Sequence, residues 1–267
     1  MMRIAVVLVL LGACSGAAPS SARPAADRRP GGADAAFTRL VDDYFEAGAR
    51  YSPTQAVGNG FHAYDAQIED RSRARIEQRI AELHGFADRL GQLDRAALGF
   101  DNAIDAEAIA ADLRSELLSL ETLRLWVKNP MTYAGLPGGA IDALMKRDFA
   151  PKKDRLRAMV ARLRGVPAIF AAARANVDGP PKEFTDVALL MARGTSGFFA
   201  GPVATWARDA AGGDAALVAE LEAANTAAIT ASRGFVDWLE KDLLPRSTGS
   251  YALGEARFLE KLADDEM

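Results

Sequence analysis

DAALVAELEAANTAAITASRGFVDWLEKDLL, residues 214–244, decides the fold class of this chain. Leu217, Leu221, Ala224, Ala228, Phe235, Trp238 and Leu239 recur every three or four positions and gather near one face of a long helix, which Pro245 stops. Such a stripe must be covered by other elements, because packing rather than propensity supplies most helical stability. The rest of the chain offers partners of the same kind. Good helix formers are abundant while aromatic residues make up only 7% of the 267 residues, so strand formers are scarce. With 49% hydrophobic and 25% charged residues, the composition is that of a globular chain able to bury a core. The expected fold is all-α, a multi-helix bundle-like array.

Working toward the N-terminus, Phe184, Val187, Ala188 and Met191 open another helix. Leu156, Met159, Val160 and Leu163 mark one beginning near Pro151 and running toward Val177, in which Pro167 predicts a kink or a fresh start. Residues 130–139 are rich in Pro and Gly and read as a turn before a short helix from Ala140. Residues 102–128 carry two apolar rows. Ile104, Ala108, Ala111 and Leu118 form one, and Ile109, Leu113, Leu117 and Leu120 the other, which predicts a central helix covered on two sides and ended by Asn129–Pro130.

Ser72 caps a helix bearing Ile76, Ile80, Leu83, Ala87 and Leu90. Asp34 reads as the N-cap of a first helix with Phe37, Leu40, Val41, Tyr44 and Phe45 on one face. That helix stops before Ser52–Pro53, which opens a short turn ending at Gly58 and Gly60. At the other end, GSYALG (249–254) has turn and extended character, and Phe258, Leu259 and Leu262 mark a last amphipathic piece. No fixed-period repeat or long linker divides residues 34–267, which are expected to form the helical domain.

Arg3, the apolar run 4–11 and then Gly12, Ala13 and Cys14 have the form of a secretory signal peptide over residues 1–13. The run is far shorter than the roughly 20 apolar residues that span a bilayer. Leu11-Gly12-Ala13-Cys14 resembles the bacterial lipobox, which makes Cys14 the expected lipidation site and the membrane an expected partner. The alternative is a plain signal peptide cut elsewhere, with Cys14 discarded. Cys14 is the only cysteine, so no disulfide forms within one chain. Ser15 does not resemble the Asp that retains lipoproteins at the inner membrane, so the outer membrane or its periplasmic face is the expected location. Residues 14–33, the lipidated cysteine followed by Ala, Pro, Ser, Gly and Arg, read as a flexible tether.

Formal charge is −4, from 32 basic and 36 acidic residues mixed along the chain, so no concentrated basic face points to nucleic acid. Only two histidines occur, His62 and His84, and they cannot make an HExxH zinc site. Neither a Gly-x-Ser-x-Gly elbow nor a phosphate loop occurs. No catalytic residue, metal ligand or cofactor is therefore assigned. His84, within a helix, reads as a surface side chain. His62 lies in the glycine-rich loop GNGFHAYD (58–65), where rigid helices could present it to a ligand together with Tyr64, Asp65 and the distant Tyr133. The alternative is that His62 and Asp65 tie the loop together by hydrogen bonds.

The order of several short motifs resembles the bacterial family called domain of unknown function 885. These are Phe45 with Tyr51-Ser52-Pro53, VGNGFHAYD (57–65) with Asp70 and Ser72, Trp126 through Asn129-Pro130 to Tyr133, RLRGVP (162–167), Ala175-Asn176-Val177 with Pro180-Pro181, and GSYALG (249–254). The resemblance covers roughly residues 34–262, and no single motif in it is specific. It implies a helical, exported or lipid-anchored, zinc peptidase-like protein, of which this chain is the N-terminal half. In that family the HExxH motif lies in the other half, so the resemblance carries no catalytic residue to this sequence. Zinc is expected only with that half, from a separate chain or a longer gene product. The two functional expectations are the non-catalytic half of a peptidase, inactive alone, and a stand-alone lipid-anchored binding or structural module.

Overall fold

The computed structural model describes residues 32–265, so the predicted signal peptide, Cys14 and most of the tether lie outside the described residues. Eleven α-helices follow one another there: α1 (Gly32–Tyr51), α2 (Pro53–Gly58), α3 (Arg73–Gly91), α4 (Phe100–Leu117), α5 (Leu125–Lys128), α6 (Met131–Lys146), α7 (Lys152–Asn176), α8 (Lys182–Phe198), α9 (Ala204–Ala211), α10 (Ala215–Trp238) and α11 (Glu255–Asp265). The array is all-α. Among the described residues there is no strand, and the extended character of the GSYALG segment reduces to a single bridge between Pro181 and Gly249.

The helices close two apolar cores. In the larger, α7 and α10 pack along one another and are covered by α6, α8 and α9. Phe170 of α7 stacks on Phe235 of α10 with centroids 4.5 Å apart, and Leu156, Met159, Leu163 and Val166 are closed off from water around them. Burying such side chains stabilises by about 1.5–3 kcal/mol each. The smaller core joins Phe37, Leu40 and Tyr44 of α1 to Leu83, Phe86 and Leu90 of α3 and Ala106, Ile109 and Leu113 of α4.

Three local expectations give way to tertiary packing. Pro130 precedes α6 and residues 131–139 lie in its first half, not in a turn, with Pro137 inside the helix. Their glycines serve close helix packing: a Cβ on Gly135 would stand 2.5 Å from the Met191 side chain, and one on Gly138 3.1 Å from Thr195 Oγ1, both on α8. Pro167 does not restart α7, which runs from Lys152 to Asn176 while Val166, Ile169 and Phe170 around the proline are buried.

Nor is α4 the central helix. It ends at Leu117 in a π-type turn closed by Leu123 N donating to Leu118 O (2.8 Å), and Arg124 then adopts a left-handed backbone (φ 50°). Its row from Ile104 through Ala108 stays exposed although α11 packs against the same helix.

End-capping shows the same division between local and distant partners. Ser72 Oγ accepts from Arg75 N and Asp214 from Leu217 N, as helix starts require. Asp34, however, lies within α1, and its carboxylate accepts from Gly99 N (2.9 Å) and Asn102 Nδ2 (2.8 Å) at the start of α4. Ser52 makes no capping bond; the buried Glu69 accepts from Thr54 N (3.2 Å) and the Thr54 hydroxyl instead. At the C-terminus of α6, buried Arg155 donates to the carbonyls of Leu144, Met145 and Arg147.

The stretch Lys182–Ala211, which holds α8 and α9, has the length and mean hydropathy (1.2) of a membrane span. Its Ala188, Ala192, Phe199 and Val203 nevertheless build the larger core, while Val187 and Leu190 remain exposed.

Candidate functional site

A cleft of about 520 Å³ opens over the smaller core, between α1, α2 and α4, and Arg79 of α3 reaches it from beneath. The helical spacing of α1 delivers Asp42, Phe45, Glu46 and Ala49 to it, while Tyr44 and Tyr51 form its deeper wall. Asn59, Phe61 and Tyr64 come from the segment after α2, and Asp112 and Glu116, one turn apart, from α4.

Arg79 organises the floor. Its Nε and Nη2 form a two-pronged pair with Glu116 (2.9 and 2.7 Å), and Glu82 stands 3.8 Å from Nη1. Burial alone would lower the Arg79 pKa, but the Glu116 pair outweighs it and holds the guanidinium charged. The ring of Tyr51 carries the guanidinium groups of Arg71, Arg75 and Arg79 at 5.0, 5.1 and 5.4 Å. Burial, together with the hydrogen bond to Asp112, keeps the Tyr44 phenol protonated far above its ordinary range, so Tyr44 donates to the Asp112 carboxylate. At the mouth Tyr64 donates to Glu46 (3.0 Å), and Phe45 and Phe61 are 60% and 56% exposed.

The loop residues singled out in sequence divide between this cleft and a seam joining the two cores. Tyr64 lines the cleft. His62 instead stacks on Phe149 at 4.2 Å and meets Asp65 through Nδ1 at 3.1 Å, which is the tying arrangement weighed against a ligand-facing one. Asp65 contributes with Glu69 to the field at Arg162. Tyr133 does not face the cleft. It is 1% exposed, donates to Trp126 O (2.8 Å) and accepts from Asn176 Nδ2 (3.1 Å), which also donates to Arg71 O. Of the cleft residues, the sequence marks Tyr44 only as part of an apolar helix face, and nothing local marks Arg79, Asp112 or Glu116, because groups that converge from separate helices leave no contiguous signal.

The family model described as bacterial protein of unknown function (DUF885) matches residues 53–267. The chain belongs to the DUF885 family. Among solved structures, this DUF885 chain is similar to a candidate lipoprotein of unknown function from Shewanella oneidensis, with 26% identity and a TM-score of 0.77. The match covers 88% of this chain and 42% of the Shewanella protein, so the chain spans about two fifths of that neighbour's length. No curated protein matches it.

The described residues do not fit the zinc ion that the family resemblance implies. His62 is stacked on Phe149, His84 pairs with Glu121 (2.9 Å), and among the described residues no three His, Cys, Asp or Glu side chains stand close enough together to hold a metal ion. The cleft therefore offers aromatic surface, carboxylates and hydrogen-bond groups, a set suited to holding a ligand.

Proposed function

We propose that this chain is an exported lipoprotein, anchored through Cys14, whose helical domain forms the ligand-binding, non-catalytic wall of a peptidase-like DUF885 protein. The observation that carries the proposal is the cleft itself: an aromatic and carboxylate-lined depression without a set of metal ligands among the described residues. The two-fifths coverage of the Shewanella neighbour supports the same reading, since a similar fold there continues into further polypeptide. In this reading zinc, its general base and the attacking water belong to residues outside those described, on a longer product or a second chain. The neighbour's description as a candidate lipoprotein supports the envelope location.

The second reading, a stand-alone binding or structural module, draws support from the two closed apolar cores, which need no further polypeptide to shield them. Zinc content and peptide hydrolysis of the purified full-length chain test the proposal. The expected result is sub-stoichiometric zinc and no chelator-sensitive turnover. One zinc per chain with turnover that a chelator abolishes would overturn it. Turnover that appears only when an HExxH-bearing helical chain is added favours the first reading over the second.

A further inference from the structure

The cleft has an excess of negative charge that the chain leaves only partly matched. Asp42, Glu46, Asp112 and Glu116 line it against a single guanidinium, that of Arg79. Glu116 is committed to Arg79 by two hydrogen bonds, and Glu46 takes Arg50 at 2.9 Å in an exposed pair of little energetic weight. Asp112 receives only a neutral phenol, that of Tyr44, in the cleft. The Asp42 side chain has no hydrogen bond or ion pair among the described residues. Beside these carboxylates, Phe45 and Phe61 present rings to solvent. Carboxylates flanked by accessible aromatic faces recognise ammonium and guanidinium groups, because ring quadrupole and charge attract the same cation.

A second cavity of about 590 Å³ lies along α4 toward α11, with Ile104, Ala111 and Asp264 in its lining, and Asp112 belongs to both cavities. Its other carboxylates are already matched, Glu107 by Arg95 and Asp264 by Arg114 (2.7 Å). Asp112 thus stands where the two cavities adjoin, with open carboxylate chemistry concentrated on the α1 side. A ligand that uses both cavities is extended and bears its cation near the middle.

We infer that the groove binds an extended basic peptide, a lysine or arginine side chain seating between Asp42, Asp112 and the rings of Phe45 and Phe61. This rests on the reading of the cleft as a ligand-binding wall and names the class of ligand. A free polyamine shares the cationic chemistry but cannot use the apolar part of the second cavity.

The test is fluorescence anisotropy on the full-length chain with a short labelled Lys/Arg-containing peptide and the same peptide carrying Gln at those positions. Spermidine serves as competitor, at low and physiological salt. The basic peptide is expected to bind at least about tenfold more tightly, the scale of one well-placed charge pair. The double variant Asp42→Asn/Asp112→Asn is expected to lose that preference, whereas Glu222→Gln, an exposed charge removal on α10, keeps it. Circular dichroism confirms folding. Should the double variant not fold, Phe61→Ala at an exposed position provides the second reading and is expected to weaken only the basic peptide.

Equal affinity for both peptides, absence of binding to the folded chain, or equal losses in the Glu222→Gln control would overturn the inference. Displacement by spermidine as efficient as by unlabelled peptide would overturn the extended-ligand part. The outcomes separate from those of the zinc assay: chelator-sensitive turnover with basic selectivity removes only the non-catalytic reading, and a metal-free chain without selectivity removes only this one.

Discussion

The α6–α10 region and the α1, α3 and α4 region solve the same packing problem with different materials. In the first, long helices bury large apolar side chains, and the buried Arg155 is fully occupied by carbonyls and Asp148. In the second, a smaller core is topped by Arg79, Tyr44 and a row of carboxylates, so its polar groups face a cleft. A dry, well-filled core resists deformation, whereas a shallow core with charged groups above it leaves chemistry accessible. The difference places most of the buried apolar surface in one region and an accessible set of polar groups in the other.

Core truncation gives the largest expected effect. Phe170→Ala in α7 is expected to cost about 3–5 kcal/mol in denaturant unfolding, the range for burying and then deleting a large aromatic side chain. Phe37→Ala in the smaller core is expected to cost less and to separate a first transition, reported by cleft fluorescence, from a second reported by far-UV circular dichroism. Coincident transitions in both variants would merge the two regions into one cooperative unit and remove the distinction drawn above.

The seam between the regions is polar, and that makes it separable. Tyr133 joins Trp126 O to Asn176, Asp178 N donates to Val127 O (3.0 Å), and Arg147 Nη1 donates to Gly58 O (2.6 Å). Tyr133→Phe is expected to cost about 1–3 kcal/mol, since it leaves buried partners unsatisfied. It should also bring the two transitions apart. A loss of only a few tenths with unchanged cooperativity would show that packing, and not this hydrogen-bond set, holds the regions together.

The smallest effect is a matter of pH and is confined to the larger region. Lys153, then Leu217 N, hold the Asp214 carboxyl below its ordinary value at the start of α10. A depressed folded pKa means stabilisation present above the unfolded value, near about 3.9, and lost as pH falls through the lower folded value. Asp214→Ala is therefore expected to lower the melting temperature at neutral pH and to converge with the parent chain in acid. A constant difference across that window would assign the loss to helix propensity alone.

Much of the helix inventory was legible. Apolar stripes located α1, α3, α8 and α10, and Ser72 and Asp214 marked helix starts, because these signals act within one or two turns. Residues 130–139 and α4 were read differently from what they are, and both lessons come from neighbours. Gly135 and Gly138 admit α8 at close range, and α11 packs against α4 while Ile104 and Ala108 stay exposed. Loop chemistry around His62 was visible, but its destination was not. Stacking on Phe149 put His62 in the seam, while Tyr64, two residues on, reached the cleft.

By itself the sequence determined the helical class, the stripes that must be covered and the absence of an HExxH motif from these 267 residues. Each of these is written in local order: composition, three-to-four spacing, or a short contiguous run. Tertiary structure alone decided that Asp42, Asp112 and Arg79 share one cleft, that Asp34 serves the start of α4, and that Tyr133 belongs to a seam. The physical reason is distance along the chain. Charge convergence and shared hydrogen bonds depend on which helices pack against which, and that choice is made by the whole set of buried faces together.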